Sequence, residues 1–133
     1  MRKNNDFGLL ILRLAVGILM LFHGIGKLNG GIEFIGGMLS GKGIPSFIAY
    51  GALIGEILAP LLIIIGFRTR IGALLLAINC LVAFLLVHTG DVGKLSETGG
   101  WALELLGLYF LGSLALFFTG GGSLAASKNN KWD

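Results

Sequence analysis

Four long apolar runs, Phe7–Ile25, Phe47–Phe67, Ile71–Val87 and Trp101–Phe118, take up most of this chain. Each has the roughly 17–21 residues that a helix needs to cross the hydrocarbon of a bilayer. In lipid a spanning backbone must satisfy its own hydrogen bonds, so runs of this kind predict helices. The expected fold is therefore all-α: a bundle of four transmembrane helices.

Composition agrees. The 133 residues are 55% hydrophobic and 13% charged, with a mean hydropathy of +0.89, whereas soluble domains carry about 25% charged residues. Glycine, 23 of 133, suits membrane helices that pack closely. The length allows a single domain over residues 1–133. No basic stripe interleaved with aromatics appears, which argues against nucleic acid as a partner. The net charge of +3 is better read as membrane topology. A single cysteine, Cys80, excludes an internal disulfide and a thiol–disulfide relay. It reads as a small buried apolar residue.

The connections refine the picture. Phe67-Arg68-Thr69-Arg70 is so short that the second and third spans must form a tight antiparallel hairpin. The segments 26–46 and 88–100 are longer and rich in glycine. Ile32, Ile35, Met38 and Leu39 recur at helical spacing, which predicts a short interfacial helix between the first two spans, broken at Gly43-Ile44-Pro45. Arg2, Lys3, Arg68, Arg70, Lys128 and Lys131 fall on one side, against Lys27, Lys42 and Lys94 on the other. By the positive-inside rule both termini are cytoplasmic. Arg13 interrupts the first run and no small-residue cleavage site follows it, so the run is read as a span rather than a signal peptide. Residues 120–133 read as a polar, mobile tail.

Function should be sought at the ionisable residues in these runs, because a charge in hydrocarbon costs a few kcal/mol even on lenient scales. Arg13 and His23 lie in the first run, Glu56 in the second, Glu104 in the fourth, and His88 closes the third. At 1.5 Å per residue, Arg13 lies about 9 Å from the cytoplasmic end and Glu56 about 14 Å from the outer end of its helix. A long arginine side chain bridges that difference if the two helices are neighbours, which predicts an Arg13–Glu56 ion pair. Arg13, Gly17, Met20, Gly24 and Lys27 share one helical face. Glu56 shares another with Ala52, Ala59 and Pro60. Pro60 cannot donate to the Glu56 carbonyl, so a kink, a freed carbonyl and a carboxyl group coincide in one turn. That is a polar locus suited to a ligand or a proton; in the plainer reading Glu56 only neutralises Arg13. His23, Lys27, His88 and Glu104 gather near the outer ends of the helices. Two histidines there could hydrogen-bond a quinone or ligate haem iron. Asn79, about 180° from His88 around the third run, is not assigned to the site. No metal site is assigned, and no flavin or nucleotide motif is present.

Arg13-Leu-Ala-Val-Gly17, His23-Gly-Ile-Gly-Lys27, Gly43-Ile-Pro45, Gly55-Glu56 and Gly66-Phe-Arg68 together resemble the DoxX family of small bacterial membrane proteins. The resemblance runs from about residue 7 to 119. It implies a four-span bundle in the bacterial inner membrane, linked to quinone-dependent oxidoreductase systems or to redox stress. Two function classes follow. In one, the chain is a quinone-reactive subunit: Glu56 and His23 act on the ligand, and Arg13, Lys27, His88 and Glu104 complete its pocket. Quinone is then the expected ligand ahead of haem, and electrons come from a partner subunit. In the other, the chain is a non-enzymatic scaffold, chaperone or small-solute carrier, alone or as a homo-oligomer.

Overall fold

A computed structural model describes residues 3–133. Arg2, one of the basic residues used above for topology, lies outside them. Asn4 opens the first helix by accepting the Phe7 N–H at 3.0 Å, which satisfies one of the donors that every helix start leaves free. Helix α1 then runs over Asn5–Gly26. The chain turns at Asn29 and at Gly30, where φ is +120°, a value that L side chains rarely adopt. Helix α2, Ile32–Gly41, follows, at the place where the interfacial helix was expected. Helices α3, Ser46–Ile65, and α4, Thr69–Asp91, form the tight hairpin. Helix α5, Glu104–Thr119, is the shortest span. No strand occurs among the described residues; Leu95 and Trp101 form an isolated bridge in the α4–α5 connection.

Helix α1 packs on α3 and α5, and α4 packs on the same two, which closes a four-helix bundle. Its centre is built from Val16, Met20, Ala59, Ile63, Ala73, Leu76, Cys80, Tyr109 and Leu116. Small residues at the crossings let the backbones approach, as packing in lipid requires. The outer surface carries large apolar side chains such as Phe22, Leu85, Leu108 and Phe118. Three helices are long and apolar enough to cross a bilayer and the fourth is a shorter apolar helix. The chain is a multi-pass membrane protein.

The end that carries both termini corrects two expectations. Arg13 is 1% exposed and does not reach Glu56. Its Nε donates to the Ile63 carbonyl and its Nη2 to Ile64, both at 2.9 Å. Its Nη1 donates to Leu124 at 2.7 Å and Gly121 at 3.3 Å. The physical reason lies in the end of α3, whose last four carbonyls have no partner within the helix. Gly66 and Phe67 N–H groups donate to Leu62, Arg13 serves Ile63 and Ile64, and Ala126 N–H donates to Ile65. A cation at a helix C-terminus also opposes the negative end of the dipole.

The second correction concerns residues 120–133, which fold back onto the bundle instead of trailing from it. Besides the Arg13 bonds, Arg68 pairs with Asp133 at 3.0 Å. Arg70 donates to the Lys131 carbonyl and to that of Phe117 near the end of α5, each at 2.7 Å. The Ser123 N–H donates to Asp6 at 2.9 Å.

Candidate functional site

The other half of the bundle holds the polar centre. Glu56 sits in a π-helical turn, Ile54–Leu58, which ends two residues before Pro60. Lys27 follows α1 directly, just before the kink at Asn29 and Gly30. A widened turn such as that of Glu56 recurs at functional sites. Across these two segments the Lys27 ammonium donates to Glu56 Oε2. The Glu56 side chain is 7% exposed and that of Lys27 is 26% exposed. The lysine stem thus lies along the bundle while its head enters it.

Asn79 of α4 completes the centre. Its Nδ2 donates to Glu56 Oε1 at 3.2 Å, so each carboxylate oxygen has a donor. This corrects the sequence reading, which set Asn79 aside by comparing it with His88 instead of Glu56. Gly55 backs directly onto the Asn79 side chain and brings α3 close enough for the bond. Three spans therefore converge on one carboxylate, two of them through hydrogen-bonding side chains from a neighbouring helix.

Removing charges from water is costly, and a pair recovers that cost only when the remaining lone pairs are also satisfied. Glu56 meets this condition with two donors. The backbone carbonyl of Glu56 is freed by Pro60, and it faces Gly24 of α1. This carbonyl and the carboxyl group of Glu56 thus occupy one turn. The counter-charge is Lys27 instead of the expected Arg13.

The other sequence candidates are dispersed. His23, one turn before Lys27, stands edge-on to Tyr109 of α5, with ring centroids 5.8 Å apart. It borders the centre without a hydrogen bond to it. His88 pairs through Nδ1 with Asp91 Oδ2 at 3.1 Å, and Asp91 also pairs with Lys94 at 3.4 Å. This small cluster belongs to the rim of α4. Glu104 is exposed in the first turn of α5, against Gly100. The structure thus brings Lys27 and Glu56 together, keeps His23 beside them, and places Arg13, His88 and Glu104 elsewhere. Among the described residues no group of three or more His, Cys, Asp and Glu side chains could hold a metal ion.

Cys80 follows Asn79 and is 1% exposed. It lines a cavity of about 260 Å³ between α4 and α5, whose other walls include Phe84, Trp101, Leu106, Gly107 and Phe110. Trp101 is fixed there by its indole N–H, which donates to the Val92 carbonyl at 2.7 Å.

Comparison with known proteins places these features in a family. The DoxX family model matches residues 8–89, a stretch that contains Arg13, His23, Lys27, Glu56 and Asn79. A protein of Bacillus subtilis (strain 168) named putative oxidoreductase CatD is 34% identical over 90 residues, covering 65% of this chain and 64% of the relative. The chain thus aligns with just under two thirds of that protein. An uncharacterized protein of Haemophilus influenzae is 30% identical over 135 residues, covering 99% of this chain and 96% of the relative. No solved structure matches.

Proposed function

The chain belongs to the DoxX family, and from that premise we propose that it is the membrane subunit of a quinone-linked oxidoreductase system of the bacterial inner membrane. The observation that carries this reading is the Lys27–Glu56–Asn79 centre around the buried Glu56 carboxylate. A quinone needs two things from a protein in lipid: a positive donor for an oxygen that gains charge on reduction, and a group that exchanges protons with that oxygen. Lys27 fits the first role and Glu56 the second. Asn79 holds the carboxylate in place. His23, beside Lys27 on α1, stands ready as a further hydrogen-bonding group for the ring. The name of the Bacillus relative, putative oxidoreductase, points to the same class of chemistry. Electrons would be supplied by a partner subunit, since the chain has no flavin or nucleotide motif.

A second reading rests on the completeness of the centre. Both carboxylate oxygens of Glu56 already have donors, as a purely structural pair would. In that case the chain is a scaffold, chaperone or small-solute carrier. The test is quinone binding by the protein purified in lipid nanodiscs, read by titration of its tryptophan fluorescence. Saturable binding that is lost in Glu56→Gln and Lys27→Met, with both variants still inserted and folded, supports the oxidoreductase reading. Wild-type protein that is folded and binds no quinone refutes it.

A further inference from the structure

Resting on the quinone reading, we infer that the cavity between α4 and α5 takes the first part of a prenyl chain attached to the ring. The Lys27–Glu56–Asn79 centre and this cavity share α4, and α5 reaches the neighbourhood of the centre through Tyr109 and His23. On α4, Asn79 reaches Glu56 while the next residue, Cys80, lines the cavity. On α5, Tyr109 meets His23 while the next residue, Phe110, lines the cavity. Consecutive helical residues point about 100° apart, the angle set by 3.6 residues per turn. A ligand with a polar ring at the centre and an apolar chain in the cavity would therefore meet adjacent faces of α4.

The volume of about 260 Å³ lies below the roughly 300–1,000 Å³ of sites that enclose a whole drug-sized molecule, so the cavity would hold a part of the ligand. Its rim residues Leu81 and Trp101 are exposed, so the rest of the chain can leave into lipid. The walls are faces of Phe84, Trp101 and Phe110, with a recess at Gly107. Flat aromatic walls with a recess suit a branched chain whose methyl groups need lateral room. Lipid is as apolar as the cavity, so the gain on entering is van der Waals packing with no hydrophobic drive.

Gly107 supplies the test, because a Cβ there would meet only Trp101, at an ordinary 3.5 Å. The probes are dimethyl-naphthoquinone and its geranyl counterpart, in which a ten-carbon prenyl chain replaces one methyl group. Wild-type protein in nanodiscs is expected to bind the geranyl compound about tenfold more tightly. In Gly107→Leu, which fills the recess, the ratio of the two affinities should fall to about one. In Leu108→Ala, on the lipid face, the ratio should persist. Equal binding of both probes to wild type, or a ratio that survives in folded Gly107→Leu, overturns the prenyl site and leaves the quinone reading standing. Binding of neither probe overturns both. Should Gly107→Leu not fold, Phe84→Ala, which removes one wall of the cavity, decides. A ratio that falls toward one in folded Phe84→Ala supports the site, and an unchanged ratio overturns it.

Discussion

Gly24 of α1 lies against the backbone carbonyl of Glu56 in α3: a methyl group at position 24 would stand 2.2 Å from that oxygen and 2.6 Å from a side-chain carbon of Ile57. No side chain fits there without moving one helix. The contact sets the distance across which Lys27, three residues further along α1, meets the Glu56 carboxylate. Gly24→Ala should therefore separate the helices at the polar centre. Overpacking of this kind costs about 1–3 kcal/mol, and the loss should appear as a lowered thermal unfolding midpoint in detergent. Unchanged stability would show that the helices can part freely at this point.

The Lys27–Glu56 pair makes a sharper prediction. Breaking a buried pair by removing one partner costs about 3–5 kcal/mol, whereas replacing both by apolar groups is often neutral. Glu56 is the more buried of the two, so Lys27→Met alone should destabilise more than Glu56→Leu alone, because it strands the deeper charge. The double variant should recover most of the loss. A double-mutant cycle by chemical unfolding in detergent measures the coupling. If the centre serves only structure, the double variant also keeps whatever activity the protein has. If it serves a quinone, stability returns and quinone binding does not.

The four spans and their hairpin were legible because a bilayer imposes length and apolarity directly on the sequence. The pairing of charges was not, although its clues were present. Arg13 was placed about 9 Å from the cytoplasmic end and Glu56 near the middle of its helix, and Lys27 shared the face of Gly24 at the outer end. What could not be read was the demand for donors at the end of α3. Open carbonyls have no side-chain signature, and three of them, of Ile63, Ile64 and Ile65, claim Arg13 and part of the tail. The same blindness made residues 120–133 look unattached. Asn79 had a detectable signal: it is the polar side chain of α4 outside the helix ends, and a polar group within a span needs a partner. The helix order that pairs it with Glu56 emerges only from packing.

Arg13 should be irreplaceable even by lysine. A guanidinium presents its donors in a fixed planar fork, and four of its contacts here are to carbonyls from two separate segments. An ammonium group offers three donors on a flexible stem and matches that geometry poorly. Arg13→Ala leaves buried carbonyls unsatisfied, at about 1–3 kcal/mol each. The expected result is a folded but weakened bundle with a detached tail. Trypsin cutting after Lys128 and Lys131 reports on this: cleavage should be slow in the wild type, faster in Arg13→Lys and fastest in Arg13→Ala. Equal rates in all three would remove Arg13 from the account of the tail.

The tail should also respond to acid. Burial acts to raise the Asp133 carboxyl, but the Ser127 hydroxyl, the Asn130 N–H and the Arg68 guanidinium together outweigh it and hold the group below its ordinary value of 3.8. A carboxylate depressed in the folded state contributes stability that is fully present above its unfolded value and disappears as pH falls through the folded one. Docking of the tail should thus be constant at neutral pH and weaken only below about pH 4, near the usual carboxylate range. Trp132 lies beside this carboxyl and its backbone carbonyl accepts from the Arg70 N–H at 3.0 Å, so its fluorescence can follow the release in a Trp101→Phe background. Asp133→Asn keeps the shape and removes the charge. It should loosen the tail at neutral pH and flatten the acid transition. A transition that persists unchanged in Asp133→Asn would assign the acid response to another carboxylate of the same end, with Asp6, the acceptor of the Ser123 N–H, as the next to replace.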